Sequence, residues 1–404
     1  MNQTSRIQTE KNRETAVTPT YAWVILLVVF LASVAAPLNQ SKVPPLMPVL
    51  MDAFNITLSQ AGLLMSVFSI TGLILALPTG IVLQKTGPKM TGLIALGSLV
   101  IGSGLGALSG SMGLLLTSRV IEGIGMGLIA VVAPAVIALW FPPEKQGTPM
   151  GIWATWVPVG SVIMMLLAPR LGLAAGWQSV WWVGAGFSLV VFVLYSALLR
   201  MPPVPAESDN PLIPPPRLST ALGNKDIWLL ALSFTCFNLV FFPLATYYPT
   251  FLSEVRGYTL TEASTITSIS TLLILISAPL AGWLSDRIGS RKRVLTIPFL
   301  IVAVLLLLPF KVVGWQIYLF MSLLGFVAGA VPTATFTAAP EVMKNPQSAG
   351  LGLAVIMVGQ NLGMFAAPVL FGRLVESLGW AAAGYWLIPF AVLGFLAGYM
   401  VKVR

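Results

Sequence analysis

Three ionisable residues lie well inside apolar stretches of the chain: Lys42, Arg119 and Glu122. On insertion scales such a side chain costs about 2.5–3.5 kcal/mol in hydrocarbon, so each asks for a reason. Arg119 and Glu122 are three positions apart and share one face of a helix, which Gly123, Met126 and Gly127 continue. Two readings stand at this point. In one, Arg119 and Glu122 form an internal pair that anchors their helix, and Lys42 snorkels to the membrane interface. In the other, Arg119 and Lys42 leave surplus positive charge in a cavity and so favour an anion. Glu122, the carboxylate set deepest in a helix, would then carry a proton.

The second half of the chain offers neutral groups instead. Asn238, Tyr247 and Tyr248 fall in one apolar run, and Gln360 and Asn361 in another. Buried amides and phenols need partners, and a polar ligand can supply them. Trp153 and Trp156 lie a turn or more inside their helix, where they would make a stacking wall rather than an interface anchor. Thr333, Thr335 and Thr337 are expected to bond back to their own helix. Enzyme chemistry has no inventory here: there is no P-loop, no metal-ligand cluster and no nucleophile beside a base. Neither a cofactor nor a metal is expected, and the chain has no histidine.

These residues must be positioned by helices in lipid. Hydrophobic residues are 57% of the chain and charged residues 9%, against about 25% charged in soluble domains. Repeated apolar runs match a hydrocarbon core of about 30 Å, where only internally bonded backbone is tolerated. The pattern predicts an all-α membrane protein with twelve helices: 22–48, 58–82, 91–110, 112–139, 149–170 and 178–199, then 227–252, 261–284, 294–313, 315–339, 348–371 and 380–401. They form two units, 21–200 and 227–404, joined by a proline-rich linker over 201–226 and preceded by a polar tail over 1–20. With the first residue inside, sixteen of the 22 basic residues fall on the cytoplasmic side. Both termini are therefore expected in the cytoplasm and the chain in the inner (plasma) membrane. The charge of +9 marks this topology and membrane lipid as the partner, not nucleic acid. The single cysteine, Cys236, reads as a small core residue.

The two units repeat each other. Gly282, Asp286, Arg287, Gly289 and Arg291 form a polar turn between two apolar runs, and Gly80, Lys85, Gly87 and Lys89 echo it 202 positions earlier. At the same offset, Thr57-Leu58-Ser59-Gln60-Ala61 aligns with Thr259-Leu260-Thr261-Glu262-Ala263. A fixed self-similarity of this kind marks a duplication.

At this turn the chain resembles the major facilitator superfamily of secondary transporters, whose loop signature reads roughly G-x-x-x-D-R-x-G-R-[RK]; the first copy has Gln84 in place of the acid. Arg119-Val-Ile-Glu122-Gly123-Ile-Gly125 is similar to the family's fourth-helix motif R-x-x-Q-G-x-G, with Glu122 replacing glutamine. In that motif the arginine faces the central cavity. Trp140-Phe141-Pro142, followed by Glu144, Gly147 and Gly151, resembles a stretch of the anion–cation symporters, and Pro44-Pro45-Leu46-Met47-Pro48 one of the cyanate-permease-like members. The resemblance implies two pseudo-symmetric six-helix bundles rocking about a midplane site, with the loop residues as gates. The expected function is secondary active transport of a small organic or inorganic anion by a monomer, coupled to protons by symport. The alternative is proton-driven export of drug-like amphiphiles, for which the tryptophans and sixteen methionines would provide an adaptable surface.

Overall fold

A backbone that crosses hydrocarbon must satisfy its own polar groups, and this chain does so with helices. The computed structural model describes residues 20–75, 78–142, 145–201, 222–343 and 349–403, and among them there is no strand. The expected tail over 1–20 lies outside the described residues except for Thr20, which opens the first helix, and most of the linker over 201–226 and Glu144 lie outside them too.

In chain order the first half holds α1 (Thr20–Gln40), α2 (Met47–Phe54), α3 (Leu58–Leu75), α4 (Pro78–Ala107), α5 (Met112–Trp140), α6 (Gly147–Ala154), α7 (Trp156–Ala175) and α8 (Gln178–Leu198). The second holds α9 (Lys225–Glu254), α10 (Leu260–Ile288), α11 (Arg291–Leu305), α12 (Trp315–Ala328), α13 (Ala330–Met343), α14 (Ala349–Leu378), α15 (Trp380–Tyr385) and α16 (Ile388–Met400). Among the described residues, eleven helical stretches are long and apolar enough to cross a membrane. A twelfth, α11, has 15 residues.

Five predicted helices are interrupted or cut short. The run expected over 22–48 leaves the helix after Gln40 and resumes at Met47, that over 315–339 is divided at Gly329, and that over 380–401 is divided between Tyr385 and Ile388. The run expected over 294–313 ends as a helix at Leu305. Beyond it the chain tightens into i→i+3 turns, with Leu308 N–H on Leu305 O at 2.9 Å, ahead of Pro309 and of Gly314 at φ +55. The run expected over 149–170 is broken at Thr155 into α6 and α7. Pro158 has no N–H to offer the carbonyl of Ala154, and Thr155 N–H bonds instead to Ile152 O at 3.2 Å.

The duplication is written in the backbone. Gly87, inside α4, has φ +75 and ψ 164 and divides that helix into two arms, one ending the second crossing and one forming the third. Its counterpart 202 positions on, Gly289, caps α10 with φ +65 and ψ 24. A Cβ is strained at both, so glycine is the residue that lets the chain reverse there.

The halves meet along α3 against α14 and α7 against α10. The hydrogen bonds joining them, from Ser59 to Glu376 and from Tyr247 to Leu58, lie at the end opposite the basic turns at Gly87 and Gly289.

Candidate functional site

The buried charges form one cluster. Lys42 Nζ lies 2.6 Å from Glu122 Oε1, and Arg119 Nη1 lies 2.5 Å from Glu122 Oε2; all three side chains are 0% exposed. The i, i+3 spacing on α5 puts Arg119 and Glu122 on one face, as the sequence implies. Lys42 reaches that face because α1 ends at Gln40 and the chain bends into a short turn at Pro44–Leu46.

That bend also explains how Arg119 is held. Gln40 O would continue the helix by accepting from residue 44, but Pro44 has no N–H. Arg119 Nη2 donates to Gln40 O instead at 3.0 Å, while Nη1 reaches Asn39 O at 2.8 Å and Nε reaches Leu64 O on α3 at 3.1 Å. A cation on the last carbonyls of a helix also meets the negative end of its dipole. The Phe68 ring covers the guanidinium at 4.5 Å. Lys42 donates to Ser103 Oγ at 2.7 Å, Ser103 donates on to Trp181 O at 2.6 Å, and the Trp181 ring lies 5.0 Å from the ammonium. Elements from the first four crossings and α8 thus converge on the cluster.

This placement settles two of the open points. Lys42 turns inward rather than snorkelling, and Arg119 is enclosed within the first half rather than facing open space. The Arg119–Glu122 pair exists, but as two sides of a three-member network. Its formal charge is +1, since two cations share one carboxylate. The buried side-chain amide nitrogen of Gln40, the residue whose backbone carbonyl accepts from Arg119, has no hydrogen-bond partner among the described residues. Ser103 and Trp181 escape the sequence reading. Nothing in the spacing links Lys42 to Ser103 or Trp181, and Trp181 reads as an interface anchor until its full burial is seen.

The other candidates are dispersed. Trp153 donates its indole N–H to Ser33 Oγ on α1 at 3.0 Å and stacks on Trp156, with ring centroids 5.8 Å apart. Asn238 donates to Phe234 O at 2.8 Å and Asn361 to Met357 O at 2.9 Å, both within their own helices. Gln360 is half-buried and makes no side-chain hydrogen bond among the described residues. Tyr247 donates to Pro368 O at 2.6 Å, at the seam between the halves. Tyr248 points into the second half, on Pro309 O at 2.8 Å. Thr333, Thr335 and Thr337 bond back one turn, as expected.

At the basic turns Lys85, Lys89, Asp286 and Arg287 are exposed. Arg287 lies over the Trp283 ring at 5.1 Å, and Asp286 makes no ion pair among the described residues. The ion pair here joins Arg291 to Glu341 on α13 at 2.9 Å, with Arg291 also on Thr337 O at 2.7 Å. Gly80 lies in the first arm of α4 and Gly282 on α10, seven residues before each turn.

A family model described as Major Facilitator Superfamily matches residues 29–269 and 257–404. The chain belongs to the Major Facilitator Superfamily. This superfamily member is 26% identical to the hexuronate transporter of Bacillus subtilis, over 76% of this chain and 74% of that protein. It is 24% identical to a probable sulfoacetate transporter of Cupriavidus necator, over 93% of this chain and 91% of that one. Among solved structures, a bacterial homolog of the human lysosomal transporter Spinster superposes with a TM-score of 0.82 at 17% identity, covering 95% of this chain and 98% of that one. The major facilitator fold, a multi-pass membrane location and a transporter rather than an enzyme follow.

Proposed function

We propose that the chain is a secondary active transporter moving a small anion in symport with protons by alternating access. The observation that carries this reading is the Lys42–Glu122–Arg119 cluster, which holds one uncompensated positive charge where all three side chains are buried. A buried charge without a partner is costly, and an anion that joins the cluster relieves that cost. The unpartnered side-chain amide nitrogen of Gln40, the residue whose carbonyl holds Arg119, is a further donor that a ligand could satisfy. Relatives named for hexuronate and sulfoacetate, both organic anions, support the same cargo class.

An anion entering between the halves pairs with Arg119 or Lys42 and loosens that cation from Glu122. The carboxylate then takes a proton, so cargo and proton travel in the same direction. Gln360 on α14 and the Trp153–Trp156 stack are the proposed neutral walls, while Asn361 is bonded within its own helix as Asn238 is. Tyr247 and Tyr248 hold carbonyls at Pro368 and Pro309, and Asn238 holds its own helix, so their part is to position helices. In this reading the protein is a monomer of the inner (plasma) membrane, with units 21–200 and 227–404 and both termini cytoplasmic.

The test is Glu122→Gln in proteoliposomes, with hexuronate and sulfoacetate as trial cargoes. Accumulation driven by a pH gradient is expected to vanish, while exchange at equal pH survives. Accumulation that persists in the variant shows that Glu122 does not carry the proton.

A further inference from the structure

The two repeats begin their second crossings with related sequences, but they meet the positive end of the helix differently. On α10, Glu262 closes a capping box: its carboxylate accepts from Thr259 N–H at 2.9 Å and from Thr259 Oγ at 2.7 Å. On α3 the matching residue is Gln60, whose neutral side chain accepts from Thr57 N–H at 2.9 Å. The carboxylate missing from this helix end is supplied by the other half. Glu376, near the C-terminus of α14, accepts from Ser59 N–H at 2.7 Å and from Ser59 Oγ at 3.0 Å.

The seam beneath this contact is built for close approach. A Cβ on Gly372 would lie 2.7 Å from Ser59 Cα and 2.8 Å from the Tyr247 hydroxyl oxygen. A Cβ on Gly62 would strike that same hydroxyl and come within 3.0 Å of Pro368 O. Tyr247 bridges the seam, donating to Pro368 O and lying 3.5 Å from Leu58 O. The charged interaction at the α3 terminus therefore exists only while α3 and α14 are together, whereas that of α10 is permanent.

We infer that Ser59 and Glu376 form a latch that holds this end of the transporter shut and that acid at this face releases it. An anionic carboxylate is a strong acceptor for donors at a helix N-terminus, and its neutral acid is a weak one. Glu376 is exposed and so open to protons from the adjoining solution. The charged and titratable groups facing it are Arg373 on its own helix and the buried phenol of Tyr247 on α9; from α3 it meets the neutral Thr57 and Ser59. Protonation removes the one anion of the contact and shifts the protein toward the form open at this end. The latch goes beyond the anion-symport reading and holds whatever the cargo. Placing this face outside, opposite the basic turns, rests on the orientation proposed above.

The test is distance measurement between spin labels at Ala53→Cys on α2 and Leu378→Cys on α14, with Cys236 replaced by serine. In detergent both faces share one pH, so the result does not depend on orientation. Between about pH 8 and about pH 3.5, a window that crosses the ordinary carboxylate range, the ratio of open to closed distances in the parent is expected to rise roughly two- to fivefold, the effect of one anion at an exposed helix terminus. Glu376→Gln should show the raised ratio already at the higher pH, with no further response. Glu376→Asp should keep a pH response, and Glu262→Gln should lower thermal stability while leaving the ratio as in the parent. A Glu376→Gln protein with the parent's ratio and pH response overturns the latch, and so does a distance that never changes.

Discussion

Lys42 and Glu122 stand 80 positions apart in the chain and 2.6 Å apart in space, and their contact changes what each substitution in the cluster should do. Removing Glu122 leaves two buried cations with no counter-charge. Removing Lys42 leaves a balanced Arg119–Glu122 pair. Glu122→Ala is therefore expected to destabilise the protein by about 3–5 kcal/mol, and Lys42→Met by much less. Lys42→Met should nevertheless lose anion binding, because it cancels the surplus charge. Thermal unfolding and calorimetric titration with the trial anions separate the two effects. Equal destabilisation by both variants would count against the charge assignment.

Arg119→Lys is expected to fail although it conserves charge. One ammonium cannot reach Leu64 O, Asn39 O, Gln40 O and Glu122 together as the guanidinium does. Orphaned buried acceptors cost about 1–3 kcal/mol each, so a clear drop in melting temperature should accompany loss of transport. Parent-like stability with lysine would mean that the α1 carbonyls find other partners.

The two reversing glycines predict unequal tolerance. Gly289 sits in the left-handed helical region, which asparagine visits, whereas Gly87 at φ +75 and ψ 164 lies where glycine stands nearly alone. Gly289→Asn should cost well under about 1 kcal/mol and Gly87→Asn roughly 1–3 kcal/mol. Paired melting curves check this, and the reverse order would refute it.

Asp286 carries a prediction about the opposite end from the latch. Its lack of an ion pair among the described residues fits a structure whose halves are joined at the far end, so we expect it to act when the basic end closes. Asp286→Asn should enrich the form open at the basic end. Reagent access to single cysteines placed there should rise, and unchanged access tells against the role.

Much of the architecture is legible in the sequence because lipid allows few solutions. Apolar run lengths set the crossings, and the 202-position echo set the symmetry, down to Gly87 and Gly289. Helix breaks are less legible: Thr155 and Leu305 yield to prolines three or four residues on, and a proline inside an apolar run does not by itself say whether the helix kinks or stops. For the site, spacing on α5 was enough to pair Arg119 with Glu122. Lys42 could be singled out as costly, but no local signal says that Pro44 frees the carbonyl Arg119 takes, or that Ser103 and Trp181 complete the shell. Such contacts join residues tens of positions apart, so only the packing reveals them. Glu376 is hidden in the sequence for the same reason. It is an ordinary acid at a helix end until Ser59 is placed beside it.

The unequal caps also bear on what happens if the polypeptide is divided in its proline-rich middle. A fragment holding the second repeat brings its own acid to the start of α10. A fragment holding the first does not, and the start of α3 would stay electrically incomplete until the sister fragment docked. Assembly from separate pieces should thus be lopsided, with the second fragment serving as the template on which the first becomes whole.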